Sequence, residues 1–382
     1  MDAEKRRVIQ MIHDQPGKLV LVCAGAGVQS MAWLLDVAGA SRTLLEAVVP
    51  YDGHAFDDFL GQTPAQYVSA ETGRRLAGRA LSRANWLLED DTPPLGVACT
   101  AAIASDRPKR GDHRAHITVW TPEKIVSYSL KLEKGARDRA GEEHVVSTLI
   151  LNAIAAAFGV EQRVELGLQS ADILETTTID IQTPVEHLLQ GELSYVGIHA
   201  DGRVRTEGVQ PQLLLSGSFN PLHEGHLALA NAASELTGKP VAFEIPAFNA
   251  DKPALPLQTV LQRLTQFAGR WPVYVSSAAT FLEKARIFPG ATFIVGYDTA
   301  VRVLQRRFYA GTEHSTLAAL TELQQAGCSF VVAGRINRDG RFGSADDLDV
   351  PEGFEDLFRP IPDFRHDLSS TELRQMGQRG CR

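Results

Sequence analysis

Cysteine is scarce: Cys23, Cys99, Cys328 and Cys381 are the four in 382 residues. They stand far apart, with no CxxC pair and no Cys/His cluster. That spacing excludes a sequence-evident zinc site and argues against a disulfide-stapled scaffold. Reduced thiols in a cytoplasmic protein are the expectation. Basic residues are not in excess either. Lys and Arg number 38 against 46 Asp and Glu, a formal net charge of −8. Such a balance supplies no global field toward nucleic acid or an acidic membrane surface, although a local basic cleft for phosphates is compatible with it. Long apolar runs are missing too. No stretch reaches the roughly 18 residues of a membrane helix, and Met1–Asp14 has a charged, helical pattern rather than that of a signal peptide. Neither a nucleic-acid nor a membrane partner is expected. What is present, 44% hydrophobic and 22% charged residues, is an ordinary globular balance that excludes a mainly disordered, collagenous or coiled-coil chain. At roughly 100–200 residues per domain the length suggests two domains or three.

Residues 4–13 read as an amphipathic helix stopped by Gln15-Pro16-Gly17. Leu19–Cys23 is a short continuous apolar run, as in a strand buried on both faces. A small-residue turn, Ala24-Gly25-Ala26-Gly27, leads into a helix over 30–37. Strands are predicted at 44–49, 95–100 and 115–120, and helices at 71–88 and 142–158. This alternation implies an α/β domain over residues 1–160. Residues 161–210 read as a connector, with a helix at 184–189 and a hairpin of 193–199 with 203–206 closed by Asp201-Gly202. A second α/β pattern occupies 211–382. Its strands are predicted at 213–215, 241–245, 273–276, 293–295 and 330–333, and its helices at 227–237, 257–267 and from Ser370. Arg338–Asp349 reads as a polar, mobile loop.

One segment carries chemistry: Ser216-Gly217-Ser218-Phe219-Asn220-Pro221-Leu222-His223-Glu224-Gly225-His226 joins a buried strand to a helix. Gly217 lets the backbone approach a ligand, and Pro221 stiffens the turn. His223 and His226, three apart in the first helical turn, share a face. The backbone N–H groups there favour an anion, and two imidazoles add donors. Gly225 leaves room between them for a phosphate. Other candidates are weaker. Gly25-Ala26-Gly27-Val28-Gln29-Ser30 lacks the third glycine of a dinucleotide loop and reads as a close-packed turn. His113 and His116 would point to opposite faces of a strand, so a metal pair is not expected. No GxxxxGK[ST] loop is present, so use of ATP depends on the histidine motif.

Gly217–His226 resembles the opening motif of the HxGH nucleotidyltransferase superfamily, in particular its nicotinamide/nicotinate mononucleotide adenylyltransferase branch. Three further segments share the resemblance, which spans about 212–377. Asp367-Leu368-Ser369-Ser370-Thr371-Glu372-Leu373-Arg374 is similar to the family's second signature, Phe293–Thr299 to its GxD strand end, and Ile245–Pro253 to the loop that brings a lysine to the acceptor phosphate. The resemblance implies a Rossmann-like parallel sheet with ATP at the strand ends. It implies that His223, His226, Lys252 and Arg374 act in catalysis, and that Gly217, Ser218, Phe219, Asn220, Gly225, Gly296, Asp298, Ser370 and Thr371 bind the nucleotide. Mg2+ would enter on phosphate oxygens, with no protein carboxylate cluster. The implied reaction joins ATP to nicotinamide or nicotinate mononucleotide and releases pyrophosphate. The alternatives are CTP, another phosphorylated acceptor, or a non-catalytic nucleotide-binding regulator. One departure bears on the acceptor: where bacterial nicotinate-type enzymes carry a ring-stacking tryptophan, this chain has Arg306-Arg307-Phe308-Tyr309. Phe308 or Tyr309 is then the stacking candidate, while Trp271 reads as packing.

Residues 4–160 resemble the CinA C-terminal family, whose active members deamidate nicotinamide mononucleotide. The resemblance rests on Ala24–Val28, Leu35–Ser41, Tyr51 and Cys99–Ala104. The family's serine position is Ala24 and its lysine position is Phe56. Neither can supply or activate a nucleophile. The expectation is a catalytically degenerate domain serving dimerisation, stability or regulation.

Overall fold

A computed structural model of the chain describes residues 1–106, 110–208, 210–248, 253–306, 313–336, 342–362 and 364. It divides into two compact units, one of Met1–Gln182, His199–Val204 and Leu264–Arg270, the other of Thr183–Ile198, Arg205–Arg263 and Trp271–Arg382. Both are α/β, as the alternating patterns predict.

The first unit is built from α1 (Ala3–His13), β1 (Lys18–Ala24), α2 (Val28–Asp36), β2 (Leu44–Val48), α3 (Gly53–Leu60), α4 (Ala70–Leu87), β3 (Pro94–Ala102), β4 (His113–Trp120), β5 (Lys124–Leu132), α5 (Arg139–Ala157) and β6 (Ile173–Asp180). Its sheet runs β2-β1-β3-β4-β5-β6. β1 is parallel to both neighbours, and the pairs from β3 to β6 are antiparallel. The period of two in β1 explains its continuous apolar run. Leu19, Leu21 and Cys23 join the core with α1, α2 and α5, and Val20 and Val22 are equally buried on the other face. Gly96 of β3 lets α4 lie close to the sheet: a Cβ there would come within 2.1 Å of the Ala77 carbonyl oxygen.

The second unit carries α6 (Gln182–Leu189), β7 (Tyr195–Ile198), β8 (Val204–Arg205), β9 (Leu213–Ser216), α7 (Glu224–Thr237), β10 (Ala242–Pro246), α8 (Leu257–Leu264) and β11 (Val273–Ser276). It continues with α9 (Phe281–Ile287), β12 (Thr292–Gly296), α10 (Tyr297–Val303), α11 (Glu313–Gln325), β13 (Ser329–Ala333), β14 (Arg335–Ile336), β15 (Phe342–Gly343) and β16 (Phe358–Pro360). Its sheet runs β16-β13-β12-β9-β10-β11-β7-β8. From β16 to β11 every neighbouring pair is parallel, and β7 joins the edge antiparallel. The chain therefore winds outward from β9 through β10 to β11. It then returns to the other side of β9 and winds outward again through β12, β13 and β16. This is the doubly wound order, and its reversal between β9 and β12 is where such sheets open a crevice at their strand ends. Phe293 and Phe330 are fully buried on one face of this sheet, and Phe358 stacks on Phe330 at 5.0 Å.

The segment expected as a connector, 161–210, supplies β6 to the first sheet and β7 and β8 to the second. The tip of its hairpin closes as the Asp201-Gly202 pair predicts, with Gly202 at φ 82° and its N–H donating to the His199 carbonyl. Of the polar loop 338–349, the described part holds β15 and a short turn, Ala345–Asp347, capped by Ser344. The helix expected from Ser370 lies outside the described residues. Among the described residues, no helix is long and apolar enough to cross a membrane.

Candidate active site

Each of β9's residues up to Leu215 is buried, and the chain leaves the sheet at Ser216. The Gly217 N–H donates to the Glu244 carbonyl of β10 at 2.9 Å, holding the exit. Phe219 then folds back. Its backbone takes the left-handed region at φ 42°, uncommon for a residue with a side chain. The ring is 1% exposed, edge-on to Phe243 at 5.4 Å and to His226 at 5.0 Å. Gly217 must be small because an added Cβ would meet that ring at 2.9 Å. Burial of Phe219 thus sets the path by which Asn220 to Leu222 lead into α7.

His223 is the N-cap of α7 and His226 lies in its first turn. Their rings stack with centroids 3.7 Å apart. The His223 N–H donates to His226 Nδ1 at 3.2 Å. A neutral His226 whose Nδ1 accepts carries its hydrogen on Nε2, which makes that nitrogen a donor. His223 is buried, and His226 is half-buried.

The two histidines line a cleft of about 260 Å3 with Leu215 and Ser216 of β9, Gly225 and Leu229 of α7, and Ile294, Val295 and Gly296 of β12. Thr299, the residues Ala333 to Arg335 at the end of β13, and Phe364 complete the wall. The cleft sits at the strand-order reversal, where the fold predicts a ligand. Among the described residues it offers the α7 N-terminus, imidazole donors and the Arg335 guanidinium, a set suited to phosphate oxygens.

Of the residues singled out in the sequence, His223, His226, Gly225 and Gly296 come together here. Gly217 and Phe219 shape the approach behind the cleft wall, and Ser218 and Asn220 are exposed on the turn. Asp298 is exposed in the first turn of α10, with its carboxylate 3.4 Å from Arg335. Lys252, Ser370, Thr371 and Arg374 lie outside the described residues, as do Arg307, Phe308 and Tyr309. Trp271 packs edge-on against Phe243 at 5.7 Å. Arg335 lies outside the segments quoted from the sequence, and Ser216 and Thr299 stand within them without an assigned role. Their position at or just after the carboxyl ends of predicted strands was the available signal.

The corresponding turn in the first unit is closed. Gly25 and Gly27 adopt φ 90° and 102°, and a Cβ at Gly25 would fall 1.9 Å from the Ala101 carbonyl oxygen. The Glu143 carboxylate accepts from the Gly27 N–H at 2.9 Å and from the Gln29 N–H at 3.1 Å, so the protein's own anion caps α2. Ala24 and Phe56 are buried. Ser30 is buried and donates to the Gly27 carbonyl at 2.6 Å. Burial, reinforced by the Glu143 charge, raises the Cys23 thiol above its ordinary range, away from reactive thiolate chemistry. His113 and His116 do lie on a strand, β4, and bond apart: His113 Nδ1 is 2.7 Å from Glu142 and His116 Nδ1 is 3.0 Å from Ser129.

Comparison with known proteins bears on the cleft-bearing region. Residues 214–376 match the cytidylyltransferase-like family. The same chain is 28% identical over 175 residues to a protein from Gloeobacter violaceus named a probable nicotinate-nucleotide adenylyltransferase, covering 42% of this chain and 81% of that one. The match and the relative support a nucleotidyltransferase. The N-terminal part has CinA neighbours among solved structures. One is the competence/damage inducible protein CihA from Agrobacterium tumefaciens, 16% identical with a TM-score of 0.34, covering 42% of this chain and 98% of that chain. Another is a CinA superfamily protein from Klebsiella pneumoniae, 16% identical with a TM-score of 0.31, covering 41% and 93%. The matched residues include β9 from Leu214 on, both histidines, the GxD strand end and the Ser-Ser-Thr segment.

Proposed function

We propose that the cytidylyltransferase-like region joins ATP to nicotinate or nicotinamide mononucleotide and releases pyrophosphate. The observation that carries this reading is the meeting of His223, His226 and Gly296 around one cleft at the strand-order reversal. A phosphate oxygen of the mononucleotide attacks the α-phosphorus of ATP. The bond from that phosphorus to the bridging oxygen breaks, and pyrophosphate leaves with the electron pair. No covalent enzyme intermediate is required, so the protein's work is positioning and neutralisation of developing charge. His226 Nε2–H and the first-turn N–H groups of α7 serve the transferring phosphate. Arg335, held by Asp298, stands at the rim for the outer phosphates. In this reading Ser370, Thr371 and Arg374 hold the β- and γ-phosphates, and Lys252 meets the acceptor phosphate. The magnesium ion comes as part of the nucleotide substrate. Among the described residues the lining holds no carboxylate, and the Asp298 carboxylate faces Arg335, so a magnesium ion would enter with the nucleotide rather than on protein ligands.

The N-terminal unit, in the same reading, is a non-catalytic domain. Its support is the absence of a hydroxyl at Ala24, the buried Phe56 and the α2 N-terminus filled by Glu143.

Pyrophosphate release from ATP and CTP, measured over a panel of phosphorylated acceptors, tests the proposal. Release is expected with ATP and a pyridine mononucleotide, and is expected to be lost in His226→Ala. Binding of ATP without turnover on any acceptor would turn the assignment to a regulator. Ammonia released from nicotinamide mononucleotide would overturn the non-catalytic reading of the N-terminal unit.

A further inference from the structure

Ser216, at the end of β9, lines the cleft and also belongs to a buried charged cluster that the reaction above leaves unused. Glu244 of β10 is 0% exposed and Lys284 of α9 is 4% exposed. Lys284 Nζ donates to Glu244 Oε2 at 2.7 Å and to Ser216 Oγ at 3.1 Å. Ser216 Oγ donates to Glu244 Oε2 at 2.6 Å, and Ser276 Oγ of β11 donates to Oε1 at 2.6 Å. One carboxylate thereby ties three adjacent parallel strands, β9, β10 and β11, near their carboxyl ends. A buried ion pair is a poor device for stability alone, since apolar residues of similar volume often do as well or better.

A hydrogen-bond count fixes what Ser216 shows to the cleft. A hydroxyl has one proton and two lone pairs, and an ionised carboxylate only accepts. The Ser216 proton goes to Glu244, and one lone pair takes the Lys284 ammonium. The other lone pair remains. Turning the proton toward the cleft would set oxygen lone pairs against a carboxylate at 2.6 Å.

We propose that the Glu244–Lys284 pair fixes Ser216 as a hydrogen-bond acceptor toward the cleft, so that Ser216 selects a nucleoside hydroxyl or amino group and keeps phosphate oxygens on the histidine side. Phosphate oxygens are acceptors and are repelled there, whereas a ribose hydroxyl or an exocyclic amine is a donor. Ser216 is then a specificity residue, and Glu244 and Lys284 are positioning residues. This rests on the reading of the cleft as a nucleotide site.

Calorimetric binding to the full chain tests it with two pairs of probes: MgATP against inorganic tripolyphosphate, and nicotinate mononucleotide against inorganic phosphate. Ser216→Ala is expected to weaken one of the two nucleotides about 3- to 10-fold, the range of one net hydrogen bond. Its phosphate counterpart should bind unchanged, and Ser216→Thr should restore the nucleotide. Glu244→Gln supplies an amide donor and frees the Ser216 proton, so it should shift preference toward the phosphate probe. Deoxy or deamino analogues of the affected nucleotide should show the same loss on the wild type and no further loss on Ser216→Ala. Equal weakening of nucleotide and phosphate probe in Ser216→Ala would overturn the proposal, as would unchanged binding of both nucleotides. Failure of the catalytic reading looks different: nucleotides bind and respond to Ser216→Ala, but no acceptor releases pyrophosphate.

Discussion

Two turns in this chain start alike and end differently. Each follows a buried parallel strand, passes a glycine-containing loop and opens a helix. After β1 the loop is pressed against Ala101, and Glu143 supplies the anion that the helix N-terminus favours. After β9 the loop is anchored by the buried Phe219, and two imidazoles line an open cleft. The local geometry of a strand-to-helix corner therefore does not make a binding site. What decides is whether the chain itself fills the donors it creates.

The contrast can be broken or sharpened by substitution. The largest expected effect is Gly25→Ala. A Cβ 1.9 Å from a backbone oxygen, at φ 90°, should cost about 2–5 kcal/mol from left-handed strain plus overpacking. Chemical denaturation of the first unit would show it. Gly217→Ala meets a side-chain ring instead and should cost less in stability while lowering turnover. Next comes His226→Ala, expected to lower turnover by roughly 100-fold or more through loss of a preorganised donor, with the unfolding midpoint little changed. A near-normal rate would remove the histidine from the mechanism. Glu143→Ala should leave turnover unchanged and destabilise the first unit by about 1–3 kcal/mol, because partly buried N–H donors lose their acceptor.

The smallest effect is acid-dependent. Burial, helped by the charges of Arg114 and Arg74, pushes His116 down to about 4 from an ordinary 6.5. Between those values the unfolded chain binds a proton that the folded unit does not. Stability is therefore full above about 6.5 and falls as pH drops toward 4. His13 and His144, also lowered chiefly by burial, act in the same direction. Unfolding midpoints measured between these limits should fall more shallowly in His116→Gln.

Much of the fold was legible because buried parallel strands leave unbroken apolar runs, as at Leu19–Cys23 and Leu213–Leu215. β6, by contrast, is exposed along most of its length with three threonines in a row, so no apolar face marked it. β5 alternates in Lys-Ile-Val-Ser-Tyr-Ser-Leu, yet it lies outside the predicted elements, between a predicted strand and a predicted helix. The eight-residue α3 is too short for a clear period. At the site, the two histidines were legible because they lie in one turn of chain. Ser216, Glu244 and Lys284 were not. They meet only because β9, β10 and α9 are neighbours in space, and a lone Glu within an apolar strand gives no hint of its partner.

Phe219 links the His226 ring to the interior. Trp271, Phe243, Phe219 and His226 touch edge-to-face in sequence. The imidazole is thus seated like a tooth whose root runs into the close-packed part of the molecule. Its alignment inherits the rigidity of a packed interior rather than the looseness of a surface loop, and trimming Phe243 far below the cleft would detune it.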